Sequence, residues 1–152
     1  MRFIALLCIG CAAAAPAAAQ GGEPAQTSRP MGRWDREVSQ LLRRAGQALE
    51  QQGYRLRPEP IVGSLNQGET EELSVGFRDG VAYALVGVCD SACGNLDLRL
   101  FDETSHEIAV AIGPGMPVLR LTPSRNAKYR LRVVMTGCSH SPCRYSVGVF
   151  DR

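Results

Sequence analysis

The sequence predicts a mainly β, jelly-roll-like antiparallel β-sandwich with one N-terminal amphipathic helix. Three observations predict it. From Ile61 to Phe150 apolar residues recur with period two, and turn residues break that pattern every eight to twelve positions. Val81 to Cys89 is apolar on both faces, as a central strand requires. Only residues 32–53 show a period of 3.6 instead.

The chain of 152 residues has room for one ordinary domain. Residues 1–19 read as a signal peptide. Met1-Arg2 is a minimal positive start, Phe3 to Gly10 is apolar, and Ala17-Ala18-Ala19 before Gln20 offers small residues for cleavage. Pro16 and the run of alanines make this stretch a poor membrane span, so no transmembrane helix is expected in the mature protein. A rival reading takes Ile9-Gly10-Cys11 as part of a lipobox, with Cys11 lipidated, although Cys8 stands where that pattern wants leucine. Either way the protein is expected in the periplasm or outside the cell. Residues 20–31, with Pro24, Pro30 and paired glycines, read as a flexible linker.

In residues 32–53, Trp34, Val38, Leu41, Leu42, Ala45 and Leu49 share one helical face, and Arg33, Arg36, Arg43, Arg44, Gln47 and Glu50 fill the other. Asp35 and Glu37 suit the positive end of the helix dipole, and Gly53 suits a left-handed stop. Two roles fit the apolar stripe. It docks on the chain's own domain, or Trp34, Val38, Leu41, Leu42 and Leu49 bind a partner or a second copy.

Tyr54 to Pro60 reads as a proline-bearing crossover, and residues 61–152 as the sandwich. Ile61 to Leu65 is a weak first strand before the Asn66-Gln67-Gly68 turn. Leu73, Val75 and Phe77 alternate with Ser74 and Gly76, and Asp79-Gly80 turns the chain. Val81 to Cys89 sets Tyr83 and Leu85 on one face and Ala84, Val86 and Val88 on the other. Leu96, Leu98 and Leu100 follow, alternating with Asp97, Arg99 and Phe101. Ile108, Val110 and Ile112 then alternate with Glu107, Ala109 and Ala111, before the Gly113-Pro114-Gly115 break. Leu119 and Leu121 flank an outward Arg120. Tyr129, Leu131, Val133 and Met135 alternate with basic residues, and Tyr145, Val147 and Val149 close the chain. About eight strands result. Such alternation fits antiparallel sheets with one face packed and one wet. A jelly roll is preferred to an immunoglobulin-like order.

The segments VGVCDSACGNLDLRLFD and PVLRLTPSRNAKYRLRVVMTGC carry a resemblance. With Tyr83 and Gly87, Asn95 to Leu100, Thr122-Pro123 and Tyr129 to Val133, residues 61–150 resemble the bacterial pre-peptidase C-terminal (PPC) domain family and related small secreted β-sandwiches. That resemblance implies a jelly-roll-like sandwich, export, and an accessory or binding role beside secreted enzymes. It does not imply catalysis. Asn95 stands where the family's D-x-D pair has its first acid.

Loss of residues 1–19 removes Arg2, leaving 16 basic against 15 acidic residues, which gives no electrostatic case for nucleic acid. It also leaves four cysteines, Cys89, Cys93, Cys138 and Cys143, an even number suited to disulfides in an exported chain. Local pairs are expected, each closing a short loop for about 2 kcal/mol, with the crossed pairings still open. The spacings C-x3-C and C-x4-C match neither zinc ribbons nor thioredoxin-like sites.

Asp90, Asn95, Asp97 and Asp102 surround the first of these loops and are hard oxygen ligands of the kind Ca²⁺ takes, with turn capping as the structural alternative. No other cofactor is expected. His106 and His140 lack the setting of a metalloprotease or a nucleophile elbow, Glu69, Glu71 and Glu72 read as a solvated edge, and no phosphate-binding glycine loop occurs. The expected function is therefore an exported, non-catalytic binding or structural module. It would meet an envelope protein or a glycan at Asp90 to Asn95 and Ser139 to Pro142. A calcium-dependent carbohydrate binder or small hydrolase using Asp90 to Asp102 is one alternative. A subunit docking through the helix is another.

Overall fold

A computed structural model describes residues 32–152; the expected signal peptide, lipobox and linker lie outside the described residues. Helix α1 spans Arg33–Glu50. It begins where the Asp35 carboxylate accepts the Gly32 N–H at 3.1 Å, satisfying one of the orphan donors of the first turn. It ends as expected near Gly53, whose φ of +83° only glycine adopts without strain, while the Tyr54 N–H bonds back to the Leu49 carbonyl at 3.0 Å.

Nine strands follow: β1 (Arg55–Leu56), β2 (Ile61–Leu65), β3 (Thr70–Phe77), β4 (Tyr83–Cys89), β5 (Cys93–Phe101), β6 (Glu107–Ala111), β7 (Val118–Leu121), β8 (Ala127–Cys138) and β9 (Cys143–Asp151). The strand beyond the expected eight is β1, two residues inside the supposed crossover that pair with Phe150 and Asp151. No local pattern announces a pair so short.

All pairing is antiparallel. One sheet runs β1-β9-β4-β7, with β2 continuing beside β9, and the other runs β3-β8-β5-β6. The pairs β2·β9, β3·β8, β4·β7 and β5·β6 are nested, like a long hairpin folded back on itself. Rolling that ribbon adds β4·β9 and β5·β8 and places its halves in two layers. This is the jelly-roll arrangement, and its successive connections alternate between the two ends of the sandwich.

Between the sheets lie Leu85, Leu96, Leu98, Leu100, Leu131, Val133, Met135, Tyr145 and Val147, all essentially inaccessible to water. At one end Phe77 stacks near Tyr83 (4.4 Å) and Tyr129 (5.4 Å). Arg57 covers this cluster, reaching Asp151 at 2.9 Å, the Tyr83 hydroxyl at 2.9 Å and the Gly76 carbonyl at 3.1 Å. Opposite Tyr145 on β9, Gly63 leaves the space the ring occupies, since a Cβ there would stand 2.6 Å from it. The Tyr145 hydroxyl donates to Glu71 at 2.5 Å. Burial, then the Glu71 carboxylate, push this phenol well above the usual tyrosine range.

Strand β4 meets both expectations set by its composition. Tyr83 and Leu85 face the other sheet, while Ala84, Val86 and Val88 face α1. Val38, Leu42 and Leu49 complete this second core, together with Phe150. Two glycines let the helix approach. A Cβ on Gly148 would meet Leu42 at 2.8 Å, and one on Gly46 would meet the Phe150 ring at 2.8 Å.

Strand β6 departs from the expected facing. Ala109 and Ala111 point into the core, and the branched residues stay outside, with Val110 45% and Ile112 64% accessible. The reason is room. β6 and β7 are the rims of the two sheets on the same side, and small inward side chains let the layers close there.

Truncation of the helix knob, Leu42→Ala, should cost about 2–5 kcal/mol in urea unfolding, because it leaves a cavity over β9. Gly46→Ala tests the close approach. Helix propensity favours alanine by about 1 kcal/mol, but overpacking a buried ring costs about 1–3 kcal/mol, so net destabilisation is expected. A stabilised Gly46→Ala variant would show that the helix rides clear of Phe150.

Candidate functional site

The alternation of connections brings the β2–β3, β4–β5, β6–β7 and β8–β9 loops to one end. Local disulfides staple two of them, Cys89–Cys93 and Cys138–Cys143, with Cα separations of 5.8 and 5.9 Å. Strand pairing sets Cys93 opposite Cys138, so the staples are neighbours.

Asp90 ties these loops together. Its carboxylate accepts the Arg144 N–H at 2.8 Å and the Ala92 N–H at 3.2 Å, and its own N–H donates to the Arg144 carbonyl at 3.0 Å. Both the N–H and the hydroxyl of Ser139 reach the Ala92 carbonyl at 2.9 Å. The β2–β3 turn joins through the Gln67 N–H, which donates to Ser141 Oγ at 3.1 Å, and the Gln67 side-chain oxygen, which accepts the Cys138 N–H at 3.4 Å. From α1, Glu37 accepts the Ser91 N–H at 3.3 Å. The result is a rigid, hydrogen-bonded tip.

Two hollows open on it. One of about 250 Å³ is lined by Asp90, Ala92, His140, Pro142 and Arg144. The other, about 140 Å³ and mostly apolar, lies between Leu41, Val88, the Cys89–Cys93 staple, Gly94, Gly115 and Met116. The sequence pointed to Asp90 and to Ser139 through Pro142 but not to Arg144 or Gln67. Their signal was topological: once a jelly roll is accepted, the loop parity assigns them to this end.

The four residues proposed for calcium do not form one site. Asp90 lies in the tip, whereas Asp102 follows the far end of β5, roughly 25–30 Å away along a nine-residue strand. Asp97, halfway along, is buried against the Gly113 N–H (3.4 Å) and the Thr136 hydroxyl (3.5 Å). Asn95 sits in a bulge with its side-chain oxygen buried and without a hydrogen-bond partner. Asp102 caps a tight turn, accepting from the Thr104 N–H, the Thr104 hydroxyl and the His106 N–H at 2.7–2.9 Å. The Thr104 hydroxyl, followed by the His106 N–H, holds its carboxyl below the ordinary range. Among the described residues no group of three or more His, Cys, Asp or Glu side chains is arranged to hold a metal. The turn-capping alternative accounts for Asp90 and Asp102, and the shared pocket that a hydrolase or calcium-dependent carbohydrate binder needs is not formed.

Neither histidine completes a nucleophilic triad. His106 Nδ1 faces both Thr104 Oγ1 (3.2 Å) and Asp102 Oδ2 (4.0 Å), so hydroxyl and carboxylate share one ring nitrogen instead of opposite ones. His140 Nδ1 lies 3.2 Å from Ser139 Oγ, whose proton goes to the Ala92 carbonyl.

The helix residues proposed for a partner need correction. Val38, Leu42 and Leu49 are buried on the chain's own sheet, and Leu41 is half-buried beside the smaller hollow. The Trp34 side chain lies outside the described residues.

No family model matches the chain, and no curated protein sequence does either. Among solved structures, the chain is similar to PliG of Aeromonas hydrophila, a periplasmic inhibitor of g-type lysozyme. That match has 15% identity and a TM-score of 0.48, covering 62% of this chain and 85% of that one. It is similar too to the pre-peptidase C-terminal domain of a Bacillus anthracis collagenase, at 18% identity and a TM-score of 0.48, covering 60% and 87%. Both likenesses are at the level of the fold, and so is the PPC resemblance.

Asp90→Ala removes the acceptor for two backbone donors and should destabilise the protein by about 1–3 kcal/mol. The loss should be local as well. Amide exchange at Ala92 and Arg144 should accelerate ahead of exchange in β5, and uniform acceleration would show that Asp90 is not the tie.

Proposed function

We propose that this chain is an exported, non-catalytic recognition module that meets a protein partner through its stapled end. One observation carries the reading: two loops there are each closed by a disulfide, and the Asp90, Ser139 and Gln67 hydrogen bonds tie these two and the β2–β3 turn to one another. A rigid loop surface loses little entropy on binding, which suits recognition. Its hollows, about 250 and 140 Å³, fall below the ~300–1,000 Å³ that encloses a small molecule. A macromolecular surface fits this end better than a small substrate.

Export accounts for the disulfides, which persist in oxidising compartments. Periplasmic or secreted placement after cleavage near Ala19 is the corresponding location, with lipidation at Cys11 as the alternative. No helix among the described residues is long and apolar enough to cross a membrane.

A photo-crosslinking residue at position 140, introduced in the native cell, should yield a discrete protein adduct. The same residue at Ser74, exposed midway along β3 and away from the stapled loops, should yield none. Equal adducts at both positions, or none at 140, would remove the stapled end as the contact surface.

A further inference from the structure

The two sheets present four edges, and three are guarded against pairing. The β1/β2 edge is interrupted by Pro58 and Pro60. The β3 edge carries Glu71 and Glu72, with Glu71 pointing between the layers to reach Tyr145. The β7 edge is four residues long, lies between Pro117 and Pro123, and bears Arg120. Proline, short length and inward charge are the devices by which edge strands avoid unwanted partners.

Strand β6 is the least guarded: it has no proline and no inward charge, only a bulge at Ile108. It pairs only with β5, and its single charge is Glu107 at the first position, held by Arg99 at 2.8 Å. That bulge, opposite Leu100 and Phe101, leaves Ala109 to Ala111 as the regular ladder with β5. From Ile108 through Ala111, and at Ile112 just past its end, the chain carries neither charge nor proline. Among the described residues the exposed large apolar side chains are Val62, Ile108, Val110, Ile112, Met116 and Val118, and five of these six belong to β6, β7 and their connection.

The sequence of that stretch, Ile108-Ala109-Val110-Ala111-Ile112, reads the same in both directions about Val110. A two-fold axis beside an antiparallel strand pair makes each residue i meet j and each j meet i. A palindromic strand therefore meets its own copy with matched side chains at every position. We propose that the β6 edge pairs with β6 of a second copy, antiparallel and centred on Val110, joining two four-stranded sheets into one of eight strands. In this register Val110 faces Val110, Ile108 faces Ile112, and Ala109 faces Ala111. Glu107 falls opposite Gly113, so the pairing sets no like charges against each other. Ladder hydrogen bonds supply the contact, and the apolar row on the outer face adds cross-strand packing. The stapled loops lie at one end of the strands, so each copy keeps its own tip.

Two measurements test this. In sedimentation velocity the protein should form dimers that Val110→Lys dissociates, raising the dimer Kd at least tenfold while leaving the thermal midpoint, compared at concentrations where both proteins are monomeric, nearly unchanged. A wild-type protein that stays monomeric up to about 100 μM would overturn the proposal. The register is tested by single cysteines, since the native Cys89, Cys93, Cys138 and Cys143 are already paired. Val110→Cys should cross-link to itself through a disulfide. Ile108→Cys should not, yet it should cross-link to Ile112→Cys when the two variants are mixed. A dimer in which Val110→Cys fails to cross-link, or in which Ile108→Cys cross-links to itself equally well, would equally overturn it.

Discussion

The fold depends on β4 being buried on both faces. From Tyr83 to Val88 that strand has no charged side chain, and its residues are essentially inaccessible throughout. Hydrogen bonding fixes it in mid-sheet, with β9 on one side and β7 on the other. One face is covered by the opposing sheet. The other would leave Ala84, Val86, Val88 and Phe150 in water, and α1 covers them. The helix is thus a structural part of the sandwich, making a third layer over one sheet. Small residues set its distance: Leu42 fits over Gly148, and Phe150 fits under Gly46.

Much of this was legible in the sequence, for a physical reason. Two-sided burial must be written into consecutive residues, so the Tyr83 to Val88 run declared β4 central. Its two faces matched the two cores residue by residue. The helix declared itself by period, and the staples by short spacing in a chain that reads as exported. The rest depended on neighbours. Whether β6 turns its branched or its alanine face inward is decided by the gap beside β7, not by its own alternation. β1 exists because β9 extends past β2 and leaves Phe150 and Asp151 open to pairing.

The acids show the limit of counting residue types. Asp90, Asn95, Asp97 and Asp102 lie close in sequence, but a strand carries the chain about 3.3 Å per residue, and β5 pulls them apart. Each aspartate then accepts local donors. Asp90 binds across to β9, where its role is to hold the staples in one surface. The same strand that disperses the acids gathers the cysteines, because the register sets Cys93 beside Cys138. Proximity at the stapled end is therefore a product of topology, and the loop end is the feature that sequence spacing alone could not assemble.

The inverted facing of β6 separates two requirements that usually coincide. Closing the sandwich rim explains why Ala109 and Ala111 are small. It does not explain why Ile108, Val110 and Ile112 are apolar, since polar residues there would leave the interior unchanged. On the neighbouring outer surface the same sheet does use polar residues, with Glu72 bonding Arg132 at 2.6 Å beside Arg130. That contrast within one sheet places the origin of the apolar row outside the monomer's own packing. Pairing of this lightly guarded edge with a second copy supplies such an origin, because the two-fold sets apolar side chains of the row against apolar side chains of its copy.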